Sequence, residues 1–254
     1  MSTVARVAVL LPVVALAALP AHAVLIQNTT TGQVVFLDDF EGLGANVSQT
    51  AYPDVSGNYN PVAILGGWVI NDADKQKVQV TNWQSPGAVQ GDNYLRLFRS
   101  SAFSDMIGTF SVPQTTVDHA GETVHFEWMM YVTPPATAST YAGFGFVDTS
   151  GGIMAHVLLR PNGITTNGGG LTYTPDQWMK VEMDYVIGAN NFLLTIDGNS
   201  AQQTLFNNHA GGGVGSFRLF GHPDYRTYLD AVPEPSTAML ALSAMILWLL
   251  RRRR

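Results

Sequence analysis

One stretch of the sequence decides the fold: Thr123-Val124-His125-Phe126-Glu127-Trp128-Met129-Met130-Tyr131-Val132. Apolar side chains stand at every second position from Val124 to Val132, and a mixed set that includes His125, Glu127 and Tyr131 alternates with them. Successive side chains of a β-strand point to opposite faces, so this period of two is typical of a strand with one buried face. The stretch therefore predicts a long strand whose second face carries polar groups.

Shorter runs of the same kind, separated by turn residues, occur along most of the chain. In the first of them Val34, Phe36 and Phe40 are expected on one face, opposite Asp39 and Glu41. The other runs cover residues 95–98, 144–147, 153–160, 178–186, 192–196 and 216–220. Many strands at this spacing, with no long amphipathic helix and no fixed repeat, predict a single all-β sandwich or jelly roll.

Both ends of the chain have the composition of targeting segments. Arg6, an apolar run over residues 7–19 and the small-x-small site Ala21-His22-Ala23 predict a signal peptide over residues 1–23. At the other end Val232-Pro233-Glu234-Pro235-Ser236 precedes an apolar segment, residues 237–250, and an arginine cluster, residues 251–254. The β-sandwich is then expected over residues 24–231.

The tail, residues 232–254, resembles the PEP-CTERM sorting domain. The three parts of that signal are present in order: Pro233-Glu234-Pro235, a short apolar helix and the arginines. The resemblance implies an exosortase as partner and transient anchoring in the inner membrane, followed by release to the cell surface or the extracellular matrix. A simple tail anchor is the alternative. The apolar run extends roughly 21 Å as a helix, which is short for a bilayer span.

Charge and cysteine content exclude several classes of function. Residues 24–232 carry eight basic and eighteen acidic side chains, a net charge near minus ten. A basic surface for nucleic acid is therefore not expected, and anionic polymers would be repelled unless a divalent cation bridges them. The chain has no cysteine, which excludes thiol catalysis, thiolate metal sites and disulfides.

The body resembles the concanavalin A-like, laminin-G-type jelly roll. The segments that carry the resemblance, in order, are Asp38-Asp39-Phe40-Glu41-Gly42, Gly67-Trp68, Trp178-Met179-Lys180-Val181, Leu194-Thr195-Ile196-Asp197-Gly198 and Tyr228-Leu229-Asp230. In such jelly rolls the first and last strands lie side by side. That placement predicts a structural calcium site of Asp39, Glu41 and Asp230, since hard cations prefer oxygen ligands. A solvated acidic edge is the alternative.

No catalytic motif is recognised in the sequence. Glu122 and Glu127 have the spacing of a laminarinase-like carboxylate pair, but Val124 replaces the central aspartate, and residues five apart on a regular strand face opposite ways. A polar groove for sugar is one hypothesis, and the outward residues of half-buried strands are the alternative explanation of the same pattern. The predicted groove consists of His125, Glu127, Tyr131, His156, Arg160 and Arg218.

These observations predict an exported, non-enzymatic jelly roll that binds carbohydrate or organises the exopolysaccharide matrix of a biofilm. The alternative is a polysaccharide hydrolase or lyase. A further alternative is a structural coat protein without a ligand. Apart from calcium, no cofactor is expected.

Overall fold

Antiparallel β-strands make up nearly all of the described part of this computed structural model. The structure describes residues 24–38, 40, 67–70, 78–81, 86–89, 94–97, 108–111, 119–133, 142–160, 163–165, 170–206, 213–221, 227–230 and 232. All of them belong to one unit, Ala21–Pro233. The predicted signal peptide and sorting helix lie outside the described residues. None of the described residues forms a helix with the length and apolarity of a membrane span.

The described residues form fifteen strands. Their bounds are β1 Val24–Asn28, β2 Gln33–Asp38, β3 Gly67–Ile70, β4 Val78–Thr81, β5 Tyr94–Leu97, β6 Gly108–Ser111, β7 Thr123–Val132, β8 Ala142–Asp148, β9 Val157–Arg160, β10 Gly163–Thr165, β11 Trp178–Val186, β12 Asn191–Ile196, β13 Asn199–Thr204, β14 Val214–Gly221 and β15 Thr227–Asp230.

Strand β7 is the centre of a nine-stranded sheet. Along one edge it pairs with β11, followed by β12 and β13. Its other edge is shared, because β1 pairs with residues from Val124 to Trp128 and β15 pairs with residues from Met129 to Val132. Strand β2 lies beyond β1, whereas β5 and β4 lie beyond β15. The long strand predicted from the alternating sequence therefore lies in the middle of this sheet and is paired along both of its edges.

The second sheet has six strands in the order β10-β9-β8-β14-β6-β3. The two sheets pack through aromatic rings: Trp128 of β7 lies edge-on to Phe144 and Phe217 of the second sheet, each with ring centroids 4.9 Å apart. Phe126 stacks on Phe146 at 5.4 Å. The alternate residues Val124 to Val132 are fully or almost fully buried. Two antiparallel sheets around one apolar core are consistent with the predicted jelly-roll sandwich.

The first predicted strand differs from the structure at its end. Strand β2 stops at Asp38, and Phe40 has a φ of 59°, in the left-handed region that a bulky side chain rarely adopts. The alternation expected to continue through Phe40 is therefore interrupted, although the Phe40 side chain is buried. Asp39 and Glu41, expected to face the same way, lie outside the described residues.

Asp197 and Gly198, which end one of the segments that carry the jelly-roll resemblance, form a turn that explains a strand not shown by the sequence pattern. Both residues have positive φ, 49° and 81°, as a tight hairpin turn between two strands requires. The turn folds β13 back on β12 in register from Asn199 to Thr204. The sequence of β13 is polar except for Ala201 and has no apolar alternation of its own.

Candidate functional site

The outer face of strands β7 and β11, directed away from the second sheet, carries a cluster of charged side chains. Inward positions on both strands are buried, so the alternate residues must lie on the outer face. The antiparallel register places Glu127 directly opposite Glu182, and His125 directly opposite Asp184. Lys180 lies two residues before Glu182 on the same face of β11. We refer to His125, Glu127, Lys180, Glu182 and Asp184 as the charged cluster.

Short hydrogen bonds and ion pairs connect the whole charged cluster. Lys180 Nζ lies 2.7 Å from Glu127 Oε1 and 2.9 Å from Glu182 Oε1. His125 Nδ1 lies 2.7 Å from Asp184 Oδ1, and its Nε2 lies 3.3 Å from Glu127 Oε2. His125 and Glu127 are largely buried, whereas the side chains of Lys180 and Asp184 are 36% and 38% exposed. The cluster therefore has a fixed inner part and an accessible rim.

The contacts within the cluster control its protonation. Burial alone would lower the pKa of His125, but hydrogen bonds to Asp184 and Glu127 outweigh it and raise the pKa to about 9. Burial would raise the pKa of Glu127, yet the hydrogen bonds from His125 and Lys180 lower it to about 2. His125 is therefore an imidazolium at neutral pH, with both N–H groups donating, and Glu127 is an anion.

Aromatic rings border the charged cluster on the same face. Tyr131 and Trp178 lie opposite each other at one end of β7 and β11, with centroids 5.5 Å apart in an edge-to-face arrangement. Both side chains are half-buried. The Tyr131 hydroxyl donates to Asp176 Oδ1 at 3.3 Å, and Trp178 Nε1–H donates to the Gly87 carbonyl at 3.1 Å. We refer to Tyr131 and Trp178 as the ring pair.

Beyond the ring pair, the outer face is covered. Tyr228 contacts Tyr131 at 5.6 Å and Tyr94 at 5.6 Å, and both Tyr228 and Tyr94 are buried. Asp230 is fully buried and accepts a hydrogen bond from the Val89 N–H. Gly87 and Val89 therefore both contact this part of the sheet. Burial, together with the nearby Tyr228, raises the pKa of Tyr94 well above its usual value.

The predicted groove is divided between the two sheets. His125, Glu127 and Tyr131 share the outer face of β7, as the alternating sequence indicated. Arg160 ends β9 and Arg218 lies on β14, both in the six-stranded sheet. His156 precedes β9 and contacts Phe206, with ring centroids 6.2 Å apart. The structure thus brings three of the six predicted residues together and places the other three elsewhere.

Metal binding has two candidate locations. One ligand atom each of His125, Glu127 and Glu182 lies within 4.8 Å of the others, a grouping that would suit a metal ion. The ammonium group of Lys180, however, already lies between the two glutamates, so a metal ion would have to displace it. Of the predicted calcium ligands Asp39, Glu41 and Asp230, only Asp230 is described. Calcium at the strand ends stays a prediction.

Lys180, Asp184 and Trp178 are site residues that sequence reasoning did not select. The signal was present, because Trp178, Lys180, Glu182 and Asp184 alternate with buried apolar residues along β11. Their pairing with β7 depends on the register between two strands separated by about fifty residues. That register follows from tertiary packing and cannot be read from either segment alone.

No family model and no curated protein matches the chain. Among solved structures it is similar to an endo-β-1,4-glucuronan lyase from the fungus Trichoderma reesei, at 13% identity and a TM-score of 0.45, over 72% of this chain and 94% of that one. It is similar to a sialidase at 11% identity and a TM-score of 0.44, over 65% and 18% respectively. The ligand-binding domain of botulinum neurotoxin serotype D in complex with N-acetylneuraminic acid gives 12% identity and a TM-score of 0.40, over 82% and 45%. The chain thus spans only a minor part of the sialidase, and the likenesses concern the fold.

One expectation from the sequence is corrected by these comparisons. The chain was expected not to be an enzyme because no catalytic motif was recognised. The similar structures include a lyase and a sialidase. A fold does not decide function, so a missing motif is no ground for excluding catalysis. The candidate site has to be judged by its own chemistry.

Proposed function

We propose that the outer face of β7 and β11 binds carbohydrate. The observation that carries the proposal is the half-buried ring pair, Tyr131 and Trp178, beside the exposed rim of the charged cluster. The rings offer apolar surface to the C–H faces of a sugar. The carboxylates of Glu182 and Asp184 are acceptors for its hydroxyl groups.

The geometry of the face supports binding rather than a purely structural role for these groups. Glu127 and His125 use both of their polar atoms within the cluster, so they fix its shape. Glu182 and Asp184 each use one oxygen for that purpose and lie nearer to solvent. A rigid inner part with acceptors at its rim is a preorganised arrangement, which lowers the entropic cost of binding.

A glycan array and affinity electrophoresis with the full chain test the proposal. We expect retention on at least one bacterial exopolysaccharide and its loss, by roughly tenfold or more, in Tyr131→Ala. Arg160→Ala is the matched control, because Arg160 is exposed on the other sheet. Equal retention of Tyr131→Ala and the unchanged chain would overturn the proposal, as would retention lost only in Arg160→Ala.

A polysaccharide hydrolase or lyase is the second candidate function. The supporting observation is the proximity of Glu127 and Glu182, whose ligand oxygens lie within 4.8 Å, because retaining hydrolases use carboxyl groups about 5 Å apart. Glu127, whose pKa is lowered to about 2, would be the nucleophile, and Glu182 would be the second carboxyl group of the pair. Release of reducing ends, or of unsaturated uronate products, that stops in Glu182→Gln would support this function. Retention without product from any bound polysaccharide would contradict it.

We also propose that the protein is exported and sorted by an exosortase to the cell surface or the matrix. Support comes from the sequence alone: the signal over residues 1–23, Pro233-Glu234-Pro235 and the terminal arginines. Replacing Pro233-Glu234-Pro235 by alanines in the producing cell is expected to leave the protein in the inner membrane. Unchanged delivery of that variant would contradict sorting through this motif.

A further inference from the structure

The charged cluster has an excess of carboxylates. On the outer face of β7 and β11, with the adjoining Asp176, the described residues carry four carboxylates and two cations: Glu127, Asp176, Glu182 and Asp184 against His125 and Lys180. Residues 24–232 as a whole carry a net charge near minus ten. The local excess therefore has the same sign as the charge of the surrounding body.

Most of the hydrogen-bonding atoms that remain available at the rim are carboxylate oxygens. His125 directs both ring nitrogens at carboxylates, and Lys180 bridges Glu127 and Glu182. Within the described residues, the second carboxylate oxygen of Glu182 and that of Asp184 accept no hydrogen bond. A ligand at this rim meets two carboxylate oxygens and one remaining N–H of Lys180, whose positive charge is already shared by two glutamates.

We infer that the ligand of this face is a neutral or amino-bearing glycan, and that uronate polymers are rejected. The inference rests on the proposed carbohydrate binding. Hydroxyl and ammonium groups donate to the rim oxygens of Glu182 and Asp184. A uronate carboxylate placed there faces an excess of negative charge among the described side chains, since Lys180 is shared by Glu127 and Glu182, and this repulsion sets specificity.

Three β-1,4-linked hexamers of glucose, glucosamine and glucuronate test the inference, because they share a backbone and differ in charge. Affinities of the full chain are measured by titration calorimetry with a chelator present. We expect the glucose and glucosamine hexamers to bind and the glucuronate hexamer to bind at least roughly tenfold more weakly. In the double variant Glu182→Gln with Asp184→Asn, we expect a smaller difference in affinity between the glucose and glucuronate hexamers.

The outcomes separate the inference from the proposed function. Glucuronate binding as tight as glucose binding overturns the inference but leaves carbohydrate binding intact. A preference unchanged in the double variant also overturns it, because the rim carboxylates would then not be its cause. If none of the three hexamers binds, and the array shows no other glycan, both the inference and the proposed function fail.

Discussion

Glu127 and Glu182 lie directly opposite each other on neighbouring strands, with the ammonium group of Lys180 within 2.9 Å of both. Like charges opposed across two strands destabilise a sheet. Lys180 offsets that repulsion, and His125 neutralises the other side of Glu127 at 3.3 Å. The charges of the site therefore stabilise one another, and the pairing of β7 with β11 holds them in place.

Removing the central cation is expected to reveal the repulsion. Lys180→Met keeps most of the length of the side chain but not its charge, and leaves the two glutamates unbridged. We expect a loss of about 1 kcal/mol in the free energy of unfolding in urea at pH 7, a modest value because Lys180 is partly exposed. Lys180→Met combined with Glu182→Gln should recover part of the loss. A single variant as stable as the unchanged chain would show that Lys180 does not bridge the pair.

The stability of the protein is expected to depend on pH through His125 and Glu127. Folding raises the pKa of His125 from its ordinary 6.5 to about 9, so its contribution is complete below pH 6.5 and is lost as pH rises towards 9. Folding lowers the pKa of Glu127 from 4.5 to about 2, so its contribution is complete above pH 4.5 and is lost as pH falls towards 2. Urea unfolding at a series of pH values should therefore show a maximum between pH 4.5 and 6.5 from these two groups.

The variant His125→Gln is the control for the alkaline side of that profile. We expect the fall between pH 6.5 and 9 to flatten, while the fall below pH 4.5 becomes smaller but persists, because Lys180 still lowers the pKa of Glu127. The magnitude removed should be about 1 to 3 kcal/mol. The ring protons of His125, followed by NMR, give the pKa directly. A midpoint near 6.5 would contradict the ion-paired arrangement with Asp184 and Glu127.

Gly145 in the second sheet is expected to tolerate no side chain. A Cβ atom there would lie 1.9 Å from the carbonyl oxygen of Ala155, which crosses over β8 at this position. We expect Gly145→Ala to destabilise the fold by about 1 to 3 kcal/mol in urea unfolding, because backbone must move to make room. Gly121→Asn is the control for an unobstructed position: a Cβ there meets nothing within 4 Å, and its φ of 87°, which Asn adopts more readily than most residues, is expected to cost less than the clash at Gly145. Equal stability of both variants would contradict the close approach.

Calcium at the ends of the sandwich is expected to raise the melting temperature. The prediction uses Asp39, Glu41 and Asp230, whose carboxylates would repel one another without a cation. Thermal unfolding of the full chain with calcium and with chelator checks it. Asp230→Asn should abolish the difference, whereas Asp176→Asn should keep it. A melting temperature that is the same with calcium and with chelator would contradict the predicted calcium site.

The strands with a period-two pattern could be predicted from the sequence. Strand β11 begins and ends at the predicted residues, Trp178 and Val186, and β7 has its apolar face where the alternation placed it. The pattern is reliable there because one face of each strand is buried and the other is not. It did not reveal β13, which is polar and becomes a strand only because the Asp197-Gly198 turn pairs it with β12.

The candidate site could be predicted only in part, because it depends on which strands are neighbours. The sequence selected His125, Glu127 and Tyr131, all on one face of β7. It grouped them with Arg160 and Arg218, which have the same outward orientation on the other sheet. Alternation identifies the face of a strand but not the sheet to which the strand belongs.

Mapping a bound oligosaccharide on the isotope-labelled full chain by NMR tests the central claim most directly. A neutral hexamer that the chain retains is titrated, and the residues whose signals shift are assigned. We expect the shifts to concentrate on Tyr131, Trp178, Glu182 and Asp184, on the outer face of β7 and β11. Shifts confined to Arg160 and Arg218 on the second sheet, or no shifts at saturating glycan, would contradict carbohydrate binding at this face.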